Sequence, residues 1–377
     1  MKKVVKVLSI VMAIAMVCAC VAGCGKNGGG KKDANTILIG GTGPLTGDAS
    51  SYGLSVKNGA QLAVEEINKA GGLNGLKFEL DIKDDKATAE DAQTGYDALM
   101  DEGMQISIGS VTSGSCEAFA AKSVQDNLFF ITPSASAAPI IAKRDNGFRI
   151  CFGDPDQGVL AARELTEKFT NIGAIYDTSD AYSKGIYDAF NDEMKKIGKE
   201  FKTQKFDAEN KKDFSTQVEA LKDCDVIFLP IYYTEAGLIA KACVAKGSSA
   251  VVFGCDGLDG IADQVDSSVT NTIKYITPFD VNSTDEKISN FVAAYKDKYN
   301  TLPDQFAADG YDAIYAIYEA MKEAKIDTAD IDCSELCDKV VKVITKDGFK
   351  FKGVTGEMTW SKDGAPTKTP TIVELEK

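Results

Sequence analysis

Two short loops carry the residues best placed for chemistry. Gly109-Ser110-Val111-Thr112-Ser113-Gly114-Ser115 follows an apolar, strand-like run and leads into a helical pattern. Thr132-Pro133-Ser134-Ala135-Ser136 follows the next such run. Hydroxyls and small residues at a strand's C-terminal end, beside a helix N-terminus, present O–H and backbone N–H donors together. Such a set can hold a carboxylate without a cationic side chain. Each loop alone fits helix capping and turn filling better; two at neighbouring strand ends bring the binding reading level with that one. A third loop, Gly41-Thr42-Gly43-Pro44-Leu45-Thr46-Gly47, invites a dinucleotide reading. Its spacing is G-x-G-x-x-x-G, however, and Pro44 to Ser51 separates it from the helix that should hold a pyrophosphate.

What the chain lacks is equally informative. It has no histidine, which excludes Ser-His-Asp and Cys-His catalysis, HExxH zinc sites and His-carboxylate iron centres. A carboxylate pair for glycoside hydrolysis remains formally possible among 56 acidic residues, but no feature picks out two of them. Asp154-Pro155-Asp156 and Asp256 to Asp259 could suggest calcium, yet neither has EF-hand spacing. The chain therefore reads as a binder rather than an enzyme, with no metal and no cofactor.

Alternating strand and helix patterns must position the loops. Ile37 to Gly41 is strand-like, and Val56, Ala60, Ala63 and Ile67 then fall on one helical face that Gly71-Gly72 ends. Phe78 to Ile82, Ile106 to Ile108 and Leu128 to Ile131 are further strands, with helices over 89–100 and 116–124. A second set begins near Phe148, with strands at 172–176, 201–206, 226–229, 251–253 and 273–276. Helices are expected over 158–169, 185–197, 214–221 and 235–245, and three more over 286–299, 303–324 and 334–344. Glu357 to Trp360 and Thr371 to Leu375 read as a closing hairpin around an Asp363-Gly364 turn. This alternation predicts right-handed βαβ units in two α/β lobes with parallel-rich sheets.

The N-terminus has the pattern of a secretory leader. Lys2, Lys3 and Lys6 precede an apolar run from Val7 to Val21, shorter than the ~20 residues that span a bilayer. Val21-Ala22-Gly23-Cys24 is similar to the lipobox of bacterial lipoproteins, which makes residues 1–23 a signal peptide and Cys24 the lipid attachment point. Residues 24–35 are a Gly-rich tether. Without the leader, 39 basic residues face 56 acidic ones, a formal charge of −17. That surface argues against nucleic acid and anionic lipid as partners. Seven cysteines remain beyond Cys24, an odd number mostly inside apolar runs, where reduced, buried thiols are the expectation.

The serine loops, Pro44-Leu45-Thr46-Gly47, Gly71-Gly72 and Asp309-Gly310-Tyr311-Asp312-Ala313 together resemble the Leu/Ile/Val-binding protein family, type I solute-binding proteins of ABC importers. The resemblance runs from about Thr36 to Ile344. It implies two Rossmann-like lobes joined by three crossovers near Ile150, Pro278 and Val354, residues 36–150 plus 278–354 forming one lobe and 151–277 plus 355–377 the other. It also implies an exported, monomeric, lipid-anchored protein. Such a protein captures an amino acid, branched-chain above all, between the lobes and delivers it to permease subunits in the membrane.

Carried over residue by residue, Ser113 and Ser136 meet the ligand's α-carboxylate, and the Ser134 carbonyl, with Ala135 beside it, accepts from the α-ammonium. Asp256 pairs with that ammonium. Tyr182 and Tyr232 are second-lobe aromatics, Tyr233 being the neighbour a one-residue slip would substitute; Tyr52 and Phe306 flank the ligand side chain. The family generally has Glu where Asp256 stands and often Thr where Ser136 stands. A disulfide found in some members cannot form here, since Lys86-Ala87 and Thr112 occupy its place. A ligand sensor of the same fold, or a receptor for an amide, a urea-like solute or an aromatic acid, is the alternative.

Overall fold

The computed structural model describes residues 35–368 and 370–375. Cys24, the leader and the tether up to Ala34 lie outside them.

Strand–helix alternation runs through the chain as its apolar pattern requires. The elements of the first part are β1 (Thr36–Gly43), α1 (Ser50–Lys69), β2 (Lys77–Asp84), α2 (Ala89–Asp101), β3 (Ile106–Ser110), α3 (Ser113–Asp126), β4 (Phe130–Thr132) and β5 (Gly147–Arg149). Their strands form one parallel sheet in the order β2-β1-β3-β4-β5. β3 and β4 are buried along their whole length, as a parallel sheet covered on both faces demands. The Phe148 segment, read as the start of the second set, is instead the edge strand β5 of this first sheet.

The second part comprises α4 (Asp154–Lys168), β6 (Ile172–Asp177), α5 (Ala181–Lys196), β7 (Lys202–Phe206), α6 (Ser215–Leu221), β8 (Val226–Leu229), α7 (Tyr233–Ala245), β9 (Val251–Gly254) and β10 (Ile273–Thr277). Then come α8 (Glu286–Tyr299), α9 (Gln305–Glu323), α10 (Cys333–Ile344), the short pair β11 (Phe351–Lys352) and β12 (Glu357–Met358), and β13 (Thr371–Glu374). The second sheet has the order β13-β10-β9-β8-β6-β7, parallel except for β13. No helix among the described residues is long and apolar enough to cross a membrane.

Helix α9 follows the second sheet in sequence yet packs on α1 of the first lobe. Two glycines let the backbones meet: a Cβ at Gly59 would lie 1.9 Å from the Ala307 carbonyl oxygen, and one at Gly310 2.5 Å from that of Val56. Side chains at these positions would push the helices apart.

The chain's last segment departs from the expected hairpin and from the crossover near Val354. β12 pairs with β11, not with the Thr371 strand, which instead joins β10. Trp360 explains the difference. Its buried indole needs an acceptor for its N–H, and it donates to the Arg149 carbonyl at 2.7 Å. The turn at Gly364, whose φ of +77° suits glycine, returns a carbonyl to the Arg149 N–H at 3.1 Å. Residues around 360–364 therefore lie along β5, and the chain reaches the second sheet only at Thr371.

Lys368 sits where these passages converge. Its ammonium donates to Asp309 Oδ1 at 3.0 Å, Thr355 Oγ1 at 2.8 Å and the Ile150 carbonyl at 3.1 Å. Asp312 accepts from the backbone N–H groups of Val354 and Thr355, both at 2.8 Å. Burial pushes the Asp309 carboxyl up to about 7, with Lys368 pulling the other way. All seven described cysteines are free thiols, six of them buried.

Lys368→Met should lower the unfolding free energy by about 3–5 kcal/mol, because it leaves the buried Asp309 without a cation. Urea titration would read this as an earlier midpoint; pairing Lys368→Met with Asp309→Asn should restore part of the loss.

Candidate functional site

Parallel strands deliver the candidate residues to one place, because loops at strand C-terminal ends face the crevice between the two sheets. The first lobe contributes Val111, Thr112 and Ser113 after β3, Ser134 after β4, Tyr52 near the start of α1 and Phe306 near the start of α9. The second contributes Tyr182 at the start of α5, Tyr232 after β8, and Asp256 and Gly257 after β9. These residues enclose a cavity of about 20 Å³. A larger one of about 460 Å³ opens outward between Asp48 and Lys86 on one side and Asp180 and Glu235 on the other, sharing Thr112 and Tyr232 with the inner cavity. The outer space is the cleft mouth; the convergent polar groups lie in the inner one.

Asp256 is 4 % exposed. Its Oδ1 accepts from Tyr182 Oη at 2.7 Å and from Gln157 Nε2 at 3.0 Å, while its own N–H donates to Gln157 Oε1 at 3.0 Å. Gln305 holds the Asp256 carbonyl at 2.5 Å and accepts from Thr277 Oγ1 at 3.1 Å, linking the site to the end of β10. No salt bridge reaches Asp256 among the described residues. Burial therefore pushes its carboxyl up to about 6, against the lowering effect of the Tyr182 and Gln157 bonds.

Facing it are neutral donors. Ser113, the first residue of α3, accepts from the Ala137 N–H at 3.2 Å, and Ser134 Oγ donates to the Val111 carbonyl at 2.8 Å. Ala135 and Ser136 are buried and are not among the residues that line this cavity. Their strand end leads into a bend whose second half turns away toward Arg149, whose guanidinium bonds the Ser136 carbonyl.

Aromatic rings wall the remainder. Tyr182 and Tyr232 stack at 4.9 Å with planes 9° apart, and Tyr52 meets Phe306 at 4.4 Å and Tyr232 at 5.5 Å. The two neighbouring tyrosines take different places. Tyr232 lines the inner cavity, whereas the Tyr233 hydroxyl donates to the Asp48 carbonyl at the mouth at 2.8 Å. Tyr52 Oη bridges the lobes directly, donating to the Gly257 carbonyl at 2.5 Å and accepting from the Tyr233 N–H at 3.1 Å.

Sequence reasoning missed Gln157 and Gln305 as parts of this assembly. Gln157 lies beside the Asp154-Pro155-Asp156 run, whose acids drew attention as a metal motif. No group of three or more metal-ligating side chains occurs among the described residues.

A family model described as periplasmic binding protein matches residues 36–377. Leu/Ile/Val-binding protein BraC3 of Rhizobium johnstonii is 28% identical over 339 residues, covering 87% of this chain and 88% of that protein. The Streptococcus pneumoniae branched-chain amino acid transporter substrate binding protein LivJ, solved in complex with isoleucine, superposes with a TM-score of 0.76. It is 29% identical, over 90% of this chain and all of that one. A solute binding protein of an ABC transporter from R. palustris in complex with benzoate has a TM-score of 0.79 at 18% identity, over 90% and 93% of the two chains. That last likeness is one of fold alone.

Tyr52→Phe should weaken the closed arrangement by about 1–3 kcal/mol, since it strips the Gly257 carbonyl and the Tyr233 N–H of a shared buried partner. Small-angle scattering of the ligand-free variant should give a larger radius of gyration than the wild type; an unchanged radius would deny Tyr52 this bridging role.

Proposed function

Because the chain belongs to the periplasmic binding protein family, we propose that it is the extracytoplasmic receptor of an ABC importer for an amino acid, branched-chain above all. Residues 36–150 with 278–368 and residues 151–277 with 371–375 act as two lobes that close on the ligand. Lipid at Cys24 holds the receptor beside the permease to which it delivers.

One observation carries the choice of ligand. The inner cavity sets neutral donors at the N-terminus of α3 against a buried carboxylate that forms no salt bridge among the described residues. A zwitterion satisfies both sides: its carboxylate meets the Ser113 hydroxyl and the helix terminus, and its ammonium meets Asp256. The aromatic rings then surround an apolar side chain. BraC3 and the isoleucine-bound LivJ lend support from relatives whose names and ligand are of this kind.

The benzoate complex on the same fold raises a second reading, an aromatic acid. Asp256 weighs against it. A ligand with a carboxylate and no ammonium would leave Asp256 buried without a counter-charge and add a second anion nearby, a costly pairing in a dry cleft.

Calorimetric titration should therefore give binding of L-isoleucine, L-leucine or L-valine and none of benzoate. Asp256→Asn should weaken isoleucine binding at least about tenfold, because the ammonium loses its counter-charge; unchanged affinity would remove Asp256 from the site.

The pH dependence has a definite sign. The ligand's ammonium binds the ionised carboxylate, and in the free protein Asp256 gives up its proton only near pH 6. Affinity should be level above that pH and fall as pH drops through it, approaching about tenfold per unit. The Asp256→Asn variant should lose this slope.

A further inference from the structure

The cleft binds a carboxylate, on the amino-acid reading, yet none of the residues lining the inner cavity is a cation. Arg149, at the end of β5 and 2 % exposed, stands one peptide behind that wall. Its Nη1 donates to the Ser136 carbonyl and its Nη2 to the Ala137 carbonyl at 3.1 Å. Among the described residues it forms no ion pair, and its Nε has no hydrogen-bond partner. A guanidinium buried without a counter-ion is costly unless dipoles or an arriving charge offset it.

The peptide between Ser136 and Ala137 transmits that charge. In a trans peptide the carbonyl and the following N–H point in opposite directions. Drawing the Ser136 carbonyl toward Arg149 therefore turns the Ala137 N–H away from it, and that N–H donates to Ser113 Oγ at 3.2 Å. Ser113 is thus held as an acceptor on one side, while its own hydroxyl hydrogen has no protein acceptor among the described residues. Ser113 lies on the cavity wall.

Asp154 is the buried acid whose charge would cancel that of Arg149. It lies beyond ion-pair distance, and both its carboxyl oxygens lack a well-formed hydrogen bond. Burial, its largest influence, pushes its carboxyl well above the usual range; the nearby Ser136 hydroxyl lowers it, Asp256 raises it and Arg149 lowers it. With no ion pair between them, Asp154 does not screen the guanidinium at contact distance.

We infer that Arg149 is the positioning cation of the ligand site, acting through the Ser136–Ala137 peptide to aim and polarise the Ser113 hydroxyl toward the ligand's carboxylate. The inference rests on the amino-acid reading. It goes further in making the receptor select for a negative charge, not merely for a hydrogen-bond acceptor, at that end of the ligand.

Paired titrations with L-isoleucine and L-isoleucinamide test it, since the amide keeps the ammonium and side chain but replaces the carboxylate by a neutral group. Wild type should favour the acid strongly. Arg149→Met should cut the acid-over-amide affinity ratio at least about tenfold, the scale of a lost charge-assisted hydrogen bond. Arg149→Lys, which keeps a charge, should hold the ratio within about threefold of wild type even if both affinities fall, because the ratio follows charge rather than fit. A wild-type ratio in Arg149→Met, or a ratio in Arg149→Lys as low as in Arg149→Met, overturns the inference while leaving the amino-acid reading intact. If Arg149→Met does not fold, Arg149→Lys decides alone: a kept ratio supports the role and a lost one overturns it. A wild type that favours neither ligand defeats the underlying reading as well.

Discussion

Asp256 is buried against two neutral donors, Tyr182 and Gln157, and forms no salt bridge among the described residues. Two hydrogen bonds cannot replace the hydration of a full charge, so the carboxylate is left needing something from outside the chain. The arrangement around it reflects that need. Gln157 reaches it from α4, Tyr182 from α5, and Gln305 fixes its carbonyl from α9 of the opposite lobe. The elements that close the cleft are thus the elements that hold the acid. On the proposed reading, a ligand that neutralises Asp256 would strengthen contacts on both lobes at once and so couple recognition to closure.

The two ends of the cleft handle charge differently. At one end the acid is on the wall and bare. At the other the cation is withdrawn behind a peptide and a hydroxyl presents its influence. The electrostatic polarity of the cavity is therefore greater than its lining residues suggest. An acidic protein can in this way set a positive influence at a carboxylate site without placing a lysine or arginine on the inner wall.

Much of this was legible in the sequence for a physical reason. Strands buried on both faces read as short apolar runs, and the loop after each one lands at the crevice, so the two serine loops could be placed from order, whereas Tyr182 and Asp256 were singled out only by the family resemblance. Helix α9 carries its helical spacing openly but not its partner, because Gly59 and Gly310 reveal a close approach only once the two backbones are set side by side. The final segment departs from its pattern for a related reason. Glu357 to Trp360 has strand character in any context, and its pairing is decided by distant groups, the Arg149 carbonyl and the β11 edge. Ser136 shows the limit of matching by loop, being buried and not among the residues that line the inner cavity. Gln157 and Gln305 carry no pattern at all, since an amide that braces a carboxylate is defined by what it faces.

The route of the last segment has a consequence for how the molecule comes into being. Lys368 joins Asp309, Thr355 and the Ile150 carbonyl, and β13 completes the second sheet, yet both come after every other element in chain order. Domains tend to fold as they emerge during synthesis, N-terminal parts first. Here the first sheet can assemble early, but the second lacks an edge strand and the hinge lacks its ammonium until residues 368–374 are available. The link between the lobes is therefore fastened last, and a chain interrupted before Lys368 would carry both sheets without the joint that makes them a single machine.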